Sequence, residues 1–362
     1  MNRQAPGKLF IAGEYAVVEP GHPAILVAVD RQVRVTVSAA EGADIVIESD
    51  LRPAPARLRR RAGGFAAAAT SAPDGLTHVV SAIDVVGALL AEHGLSVPPV
   101  QVSISSRLHL NGAKLGLGSS GAVTVATVDA VAAYCGLELS PDTRFRLAML
   151  ATARIDAGSS GGDLAAGVWG GWIEYHAPDR AAVLDLARRR GLEETLRAPW
   201  SGFAVRPLPA PRGLALEVGW TGRPARTTSL TGRLGRRTWQ GSTAQRSFLT
   251  RSDQCVRTAV HALEQGDDQV VLRQIRAARR LLAGLDDEAG LGIFTTELTA
   301  LCDTAEAVGG AAKPSGAGGG DCGIALLDAT AEAEISLLRE RWTAVGLLPV
   351  PIRITSTKGS AQ

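Results

Sequence analysis

The chain has 362 residues, 46% hydrophobic and 20% charged, a composition that suits a soluble protein with room for two lobes and a substantial core. A formal charge of +2 and an aromatic content of 4% give no basis for nucleic acid or an anionic membrane as a partner. Cys135, Cys255, Cys302 and Cys322 are scattered, as are the six histidines, so reduced thiols and no zinc site are expected.

Met1-Asn2-Arg3-Gln4 has no apolar signal core, and the longest apolar stretch, Ala122 to Tyr134, is too short to span a bilayer and carries Asp129. The expectation is a cytoplasmic protein without a membrane partner. Strands are expected at Leu9–Ile11, Ala24–Val27, Val33–Val37 and Ile45–Ile47, with Gly21-His22-Pro23 as a turn. Arg52 to Gly64, with two prolines and the run Arg59-Arg60-Arg61, reads as a solvated loop. Thr77 to His93 has helical apolar spacing and a glycine stop at Gly94, and Val100–Ser105 is a strand. A helix follows Ser120, and another spans Asp142–Ile155. Pro199, Pro207, Pro209 and Pro211 suggest a lobe boundary between about Arg206 and Gly213, dividing 1–205 from 206–362. Beyond it, Leu214–Gly219, Gly323–Leu327 and Val350–Ile354 read as strands, and Thr243–Gln265, Phe294–Val308 and Ala331–Val345 as helices. The pattern is α+β in two lobes, with a cleft between them as the natural site.

Three glycine-rich stretches carry the chemistry: Ala5-Pro6-Gly7-Lys8, Leu115 to Gly121, and Lys313 to Asp321. In the middle one, Gly116, Gly118 and Gly121 let backbone amides converge before a helix whose first turn has free N–H groups, which makes a phosphate cradle. No GxxxxGK[ST] motif competes for that role, and the HRD and DFG pair of protein kinases is missing. Ser119 and Ser120 add hydroxyls that either face a ligand or cap the helix. Lys114 is placed to touch a phosphate or to remain solvated. Asp163 follows the turn Gly158-Ser159-Ser160-Gly161-Gly162, where it either meets an acceptor oxygen or caps a helix starting at Leu164. Lys8 lies on an apolar strand, where lysine is uncommon unless paired or functional. Near Asp163 it would neutralise a transferring phosphoryl group.

The order APGKLFIAGEYAVVEPGHPAI, GLGSSGAVTVA, KPSGAGGGDCGIAL resembles the three signature motifs of the GHMP kinase superfamily. Gly158–Asp163 with Trp169-Gly170-Gly171-Trp172, and Gly219-Trp220-Thr221-Gly222-Arg223-Pro224-Ala225 with Thr227, are similar to segments of its phosphomevalonate kinases. The resemblance runs from residue 5 to residue 326. It implies an α+β, two-lobed GHMP kinase fold, with an N-terminal lobe like ribosomal protein S5 and a ferredoxin-like C-terminal lobe. It also implies ATP and Mg2+ as cofactors and phosphomevalonate as the small-molecule substrate.

Carried over by residue, the resemblance gives Asp163 and Lys8 catalytic roles and places the nucleotide along Lys114, Gly116, Leu117, Gly118, Ser119, Ser120, Gly121 and Ala122. Magnesium then lies beside Ser120. Glu14, Tyr15, Ser159, Ser160, Gly161, Ser315, Gly316 and Ala317 join Lys8 and Asp163 around the substrate. Two departures stand out. Ala151-Thr152-Ala153-Arg154 lacks the magnesium-binding glutamate of mevalonate kinases, and Arg226 interrupts the Pro224-Ala225-x-Thr227 segment. Other superfamily activities (mevalonate kinase, homoserine kinase, diphosphomevalonate decarboxylase) and a non-catalytic sensor are the alternatives, and the protein is expected to be a monomer or homodimer.

Overall fold

A long strand organises the first sheet. In the computed structural model, which describes residues 1–41, 45–58, 73–110, 112–225 and 239–355, β1 (Asn2–Ala12) pairs antiparallel with the 17-residue β2 (Pro23–Ala39). The expected strands Ala24–Val27 and Val33–Val37 are therefore one. The first half of β2 is buried on both faces and the second alternates, so its two patterns look like two elements in sequence. Arg59-Arg60-Arg61, Arg226 and Thr227 lie outside the described residues.

Next come β3 (Ile45–Ser49), β4 (Ala56–Leu58), α1 (Thr77–Glu92), β5 (Val100–Ser106) and a small hairpin, β6 (His109–Leu110) with β7 (Ala113–Lys114). Three helices follow: α2 (Ser119–Tyr134), α3 (Pro141–Ala153) and α4 (Gly162–Trp169). Then β8 (Trp172–His176), α5 (Arg180–Arg190), α6 (Leu192–Arg197) and β9 (Ala204–Leu208) complete this half. The sheet runs β4-β3-β5-β2-β8-β9, with β1 also on β2. Alanine and valine make α2 buried almost all round, which lets it pack against both β1 and β2.

The second half holds β10 (Leu214–Trp220), the paired helices α7 (Thr243–Gln265) and α8 (Asp268–Ala289), α9 (Thr296–Ala307), β11 (Ala311–Pro314), β12 (Cys322–Asp328), α10 (Glu332–Ala344) and β13 (Leu348–Pro349). Its antiparallel sheet runs β11-β12-β10-β13. Ser242 caps α7 by accepting from Gln245 N–H, and Gly266 ends it in a left-handed conformation, so the sequence fixes both ends. α8 was not anticipated.

Three further expectations fail. Within Arg52–Gly64, read as a loop, Ala56–Leu58 forms β4 by pairing with β3. Val350–Ile354 is not a strand: pairing stops at Pro349, and Pro351 has no N–H to continue it, leaving one bridge from Ile354 to Val29. The third glycine-rich stretch is not all loop either, because Lys313 and Pro314 belong to β11. None of the four cysteines is joined in a disulfide. Among the described residues, no helix is long and apolar enough to cross a membrane.

Candidate active site

The three glycine-rich stretches meet around one cavity of about 710 Å³. β1 brings in Lys8, and Gly7 makes the approach possible. A Cβ there would lie 2.8 Å from the Leu117 carbonyl, which instead accepts a 2.8 Å hydrogen bond from Lys8 N–H. Leu115 and Leu117 are buried anchors, while Gly116 and Gly118 take left-handed backbone (φ 77° and 76°) that turns the loop back over Lys8. Gly118, not a serine, caps α2, and no side chain serves as the cap. The expectation that one of the serines caps this helix is corrected. Ser119 and Ser120 sit in the first helical turn and line the cavity.

Asp163 is likewise not the helix cap: α4 begins at Gly162, with left-handed Gly161 as cap. Its Oδ1 accepts from Leu164 N–H at 3.0 Å. A Cβ on Gly121 would fall 2.4 Å from Asp163 Oδ2, and one on Gly118 would fall 3.0 Å from Asp163 Cβ and 3.1 Å from Lys8 Cγ. The glycines thus let loop, carboxylate and lysine share one spot. Burial lowers the Lys8 pKa from its ordinary value, opposed by the charges of Asp163, Asp321 and Glu14. Its Nζ lies 5.0 Å from the centre of the Phe10 ring.

One side of the cavity is built from turns. Asp156 Oδ1 accepts from Gly158 N–H at 2.8 Å, Ser160 Oγ accepts from Gly162 N–H at 3.3 Å, and Tyr175 Oη–H donates to the Ser160 carbonyl at 2.6 Å. Opposite them, Glu14 forms a buried ion pair with Lys313, and Tyr15 Oη–H donates to the Ala317 carbonyl. Ser315 Oγ accepts from Phe10 N–H at 2.9 Å and donates to the Phe10 carbonyl at 3.1 Å. The first and third stretches are thereby joined across some 300 residues of sequence.

Of the sequence-derived candidates, Lys8, Glu14, Tyr15, Lys114, Gly116, Gly118, Ser119, Ser120, Gly121, Ser159, Ser160, Asp163, Ser315, Gly316 and Ala317 line the cavity. Leu117, Ala122 and Gly161 stand behind it: the first two are packed in the core, and Gly161 lies against Met149 and Tyr175.

The comparisons with known proteins fit this geometry. Residues 78–171 match the GHMP kinases N terminal domain and residues 259–344 the GHMP kinases C terminal domain. A phosphomevalonate kinase from a Streptomyces species is 63% identical over 97% of this chain and 96% of its own. The chain belongs to the phosphomevalonate kinase family. The solved phosphomevalonate kinase of Streptococcus pneumoniae, in complex with phosphomevalonate and AMPPNP, superposes with a TM-score of 0.85 at 28% identity, covering 98% of this chain and all of that one. A mevalonate kinase from Thermococcus sibiricus is more distant, at 29% identity over 89% of this chain and 87% of its own.

Beside the phosphomevalonate kinase motifs, the cavity uses residues that sequence reasoning missed. His78, at the start of α1, has Nδ1 3.4 Å from Thr124 Oγ1, and burial lowers its pKa against the pull of Asp163. Thr152 comes from the last turn of α3, Asp156 from the turn that follows it, and Ala225 from the chain after β10. Nothing about their spacing marks them. Asp321 ends the third stretch but was given no role there, and its left-handed backbone (φ 56°) is seen only in the structure.

Proposed function

We infer that this protein transfers the γ-phosphoryl group of ATP to the phosphate of (R)-5-phosphomevalonate, giving 5-diphosphomevalonate and ADP. The observation that carries the residue-level reading is the convergence of Lys8 and Asp163 on Gly118 and Gly121. In this reading the nucleotide phosphates lie along the amides of Gly116–Gly121, at the positive end of α2. Lys114 holds their outer edge, and Ser159, Ser160 and the Ser315–Ala317 turn hold the acceptor with Glu14 and Tyr15.

Lys8 balances charge as the phosphoryl group moves, and Asp163 orients the acceptor oxygen. A phosphate monoester has a second pKa near 6 and is largely ionised at neutral pH. Positioning and charge neutralisation therefore outweigh proton removal.

Magnesium fits the residues present. The Ser119 and Ser120 hydroxyls are free of capping duty and line the cavity, and magnesium accepts a few protein oxygens with phosphates and water completing its shell. Ser120 would hold it, and the ion would supply neutralisation of the nucleotide's phosphate charge. Among the described residues no group of three His, Cys, Asp or Glu is gathered as a metal site. We place the lobe boundary at residues 209–213, slightly past the 205/206 division, because β9 ends the first sheet at Leu208 and β10 opens the second at Leu214.

The test is incubation with ATP and Mg2+, separately with mevalonate and phosphomevalonate, following ADP and product mass. Diphosphomevalonate from phosphomevalonate alone is expected. Turnover of mevalonate instead, or silence with both, overturns the reading.

A further inference from the structure

Among the described residues, two that are not glycine take positive φ, Tyr15 (63°) and Asp321 (56°), and both line the cavity. A backbone held in this region persists only where its surroundings demand it. Tyr15 is held by its bond to Ala317. The surroundings of Asp321 are more extensive. Its N–H donates to the Arg223 carbonyl at 2.8 Å, and its carbonyl accepts from Thr221 N–H at 2.9 Å. Its side chain then turns back on the same segment, Oδ1 accepting from Ala225 N–H at 2.9 Å. On its other side it lies close against Gly116 of the glycine loop: a Cβ on Gly116 would come within 2.3 Å of Asp321 Cβ and 2.7 Å of Oδ2. Gly320 permits the entry, since a Cβ there would be 2.6 Å from the Arg223 carbonyl.

We propose that Asp321 is a positioning residue for nucleotide binding, its side chain fixing the segment Thr221–Ala225 against the Gly116 end of the phosphate-binding loop. This rests on the reading that nucleotide phosphates lie along Gly116–Gly121. The role belongs to the carboxyl's shape and its acceptor oxygen. Two surfaces of one cavity, Ala225 and the glycine loop, have no strand pairing between them, and Asp321 touches both. Its close bond is to a neutral amide, while the charges of Lys8 and Lys114 reach it only at longer range. An asparagine keeps the acceptor oxygen and tolerates left-handed backbone, whereas glycine keeps the backbone and loses the oxygen.

The experiment compares wild type, Asp321→Asn, Asp321→Gly and Ala225→Pro, which removes the N–H that Asp321 accepts from. AMPPNP binding with Mg2+ is measured by calorimetry, alongside kcat, both KM values and Tm. Asp321→Gly is expected to weaken AMPPNP binding and raise the ATP KM about 10- to 100-fold, the scale of a misplaced site, with Tm kept within about 2 °C. Asp321→Asn is expected to stay within about threefold of wild type, and Ala225→Pro to share the glycine variant's defect.

Wild-type AMPPNP affinity in Asp321→Gly overturns the proposal, and so does an asparagine variant as poor as the glycine one. A loss of Tm without loss of nucleotide affinity overturns it as well. If Asp321→Gly does not fold, Asp321→Asn and Ala225→Pro decide the matter by the same criteria. AMPPNP binding needs no acceptor, so a failure of the phosphomevalonate assignment leaves this measurement standing. Wild-type protein that fails to bind AMPPNP overturns both.

Discussion

Two buried lysines in this protein differ in one respect that separates structure from chemistry. Lys313, fully buried on β11, bonds Glu14 and the Pro314 carbonyl. Lys8, nearly as buried on β1, has no hydrogen bond or ion pair from its ammonium among the described residues and faces the cavity instead. A buried charge must find a partner. Lys313 has found one within the protein, and Lys8 is left for a ligand to satisfy. Both lie in quoted sequence motifs, so only the pairing tells them apart.

The contrast is broken or sharpened most strongly at Lys8. Lys8→Met is expected to lower kcat about 10²- to 10³-fold, as removal of one transition-state charge contact does, while Tm holds or rises. Measuring ADP release and thermal unfolding on one sample checks both halves, and a folded, active Lys8→Met would erase the distinction. Glu14→Ala should show the opposite signature. It strands Lys313 and is expected to destabilise by about 3 to 5 kcal/mol in chemical denaturation. The double change Glu14→Leu with Lys313→Met should recover most of that loss, because neither charge is then buried alone.

Asp163→Asn comes next, with an expected loss in kcat of about 10- to 100-fold, below the full value of a general base acting on an alcohol. A drop as deep as the loss of ATP binding would show proton removal to be limiting. The smallest effect is with pH. The Lys8 pKa in the folded protein lies below its ordinary 10.5, so between the two values the unfolded chain binds the extra proton and stability rises with pH through that window. Lys8→Met should flatten the rise in a denaturation series. In the wild type, kcat should decline on the alkaline side below 10.5, a limb that Lys8→Arg moves out of range.

Much of this was legible in sequence because glycine leaves a conspicuous trace where backbones must approach. Gly7, Gly116, Gly118 and Gly121 mark the loop, and Thr243–Gln265 was read as the helix that α7 is. The family resemblance supplied the fold and the order of the motifs. What stayed hidden depends on tertiary placement. β2 crosses from doubly buried to half-buried, so its pattern breaks although its backbone does not. α8 is legible afterwards from Val271, Leu272, Ile275, Ala278, Leu282 and Leu285, but its many charges obscured the apolar face. His78 and Ala225 reach the cavity from distant segments, and no local pattern encodes that meeting. Lys313 looked like a loop residue because the glycines after it are loop, and only the strand pairing to Ile324 reveals its burial.

The bond between Glu14 and Lys313 joins residues 299 apart in the chain. At synthesis rates of about 5 to 20 residues per second, Glu14 emerges roughly 15 to 60 s before its partner exists. Throughout that interval the nascent first lobe presents a carboxylate destined for burial, and the Phe10 backbone waits for Ser315. A fragment that ends before residue 311 therefore leaves Glu14 without Lys313 and the Phe10 backbone without Ser315.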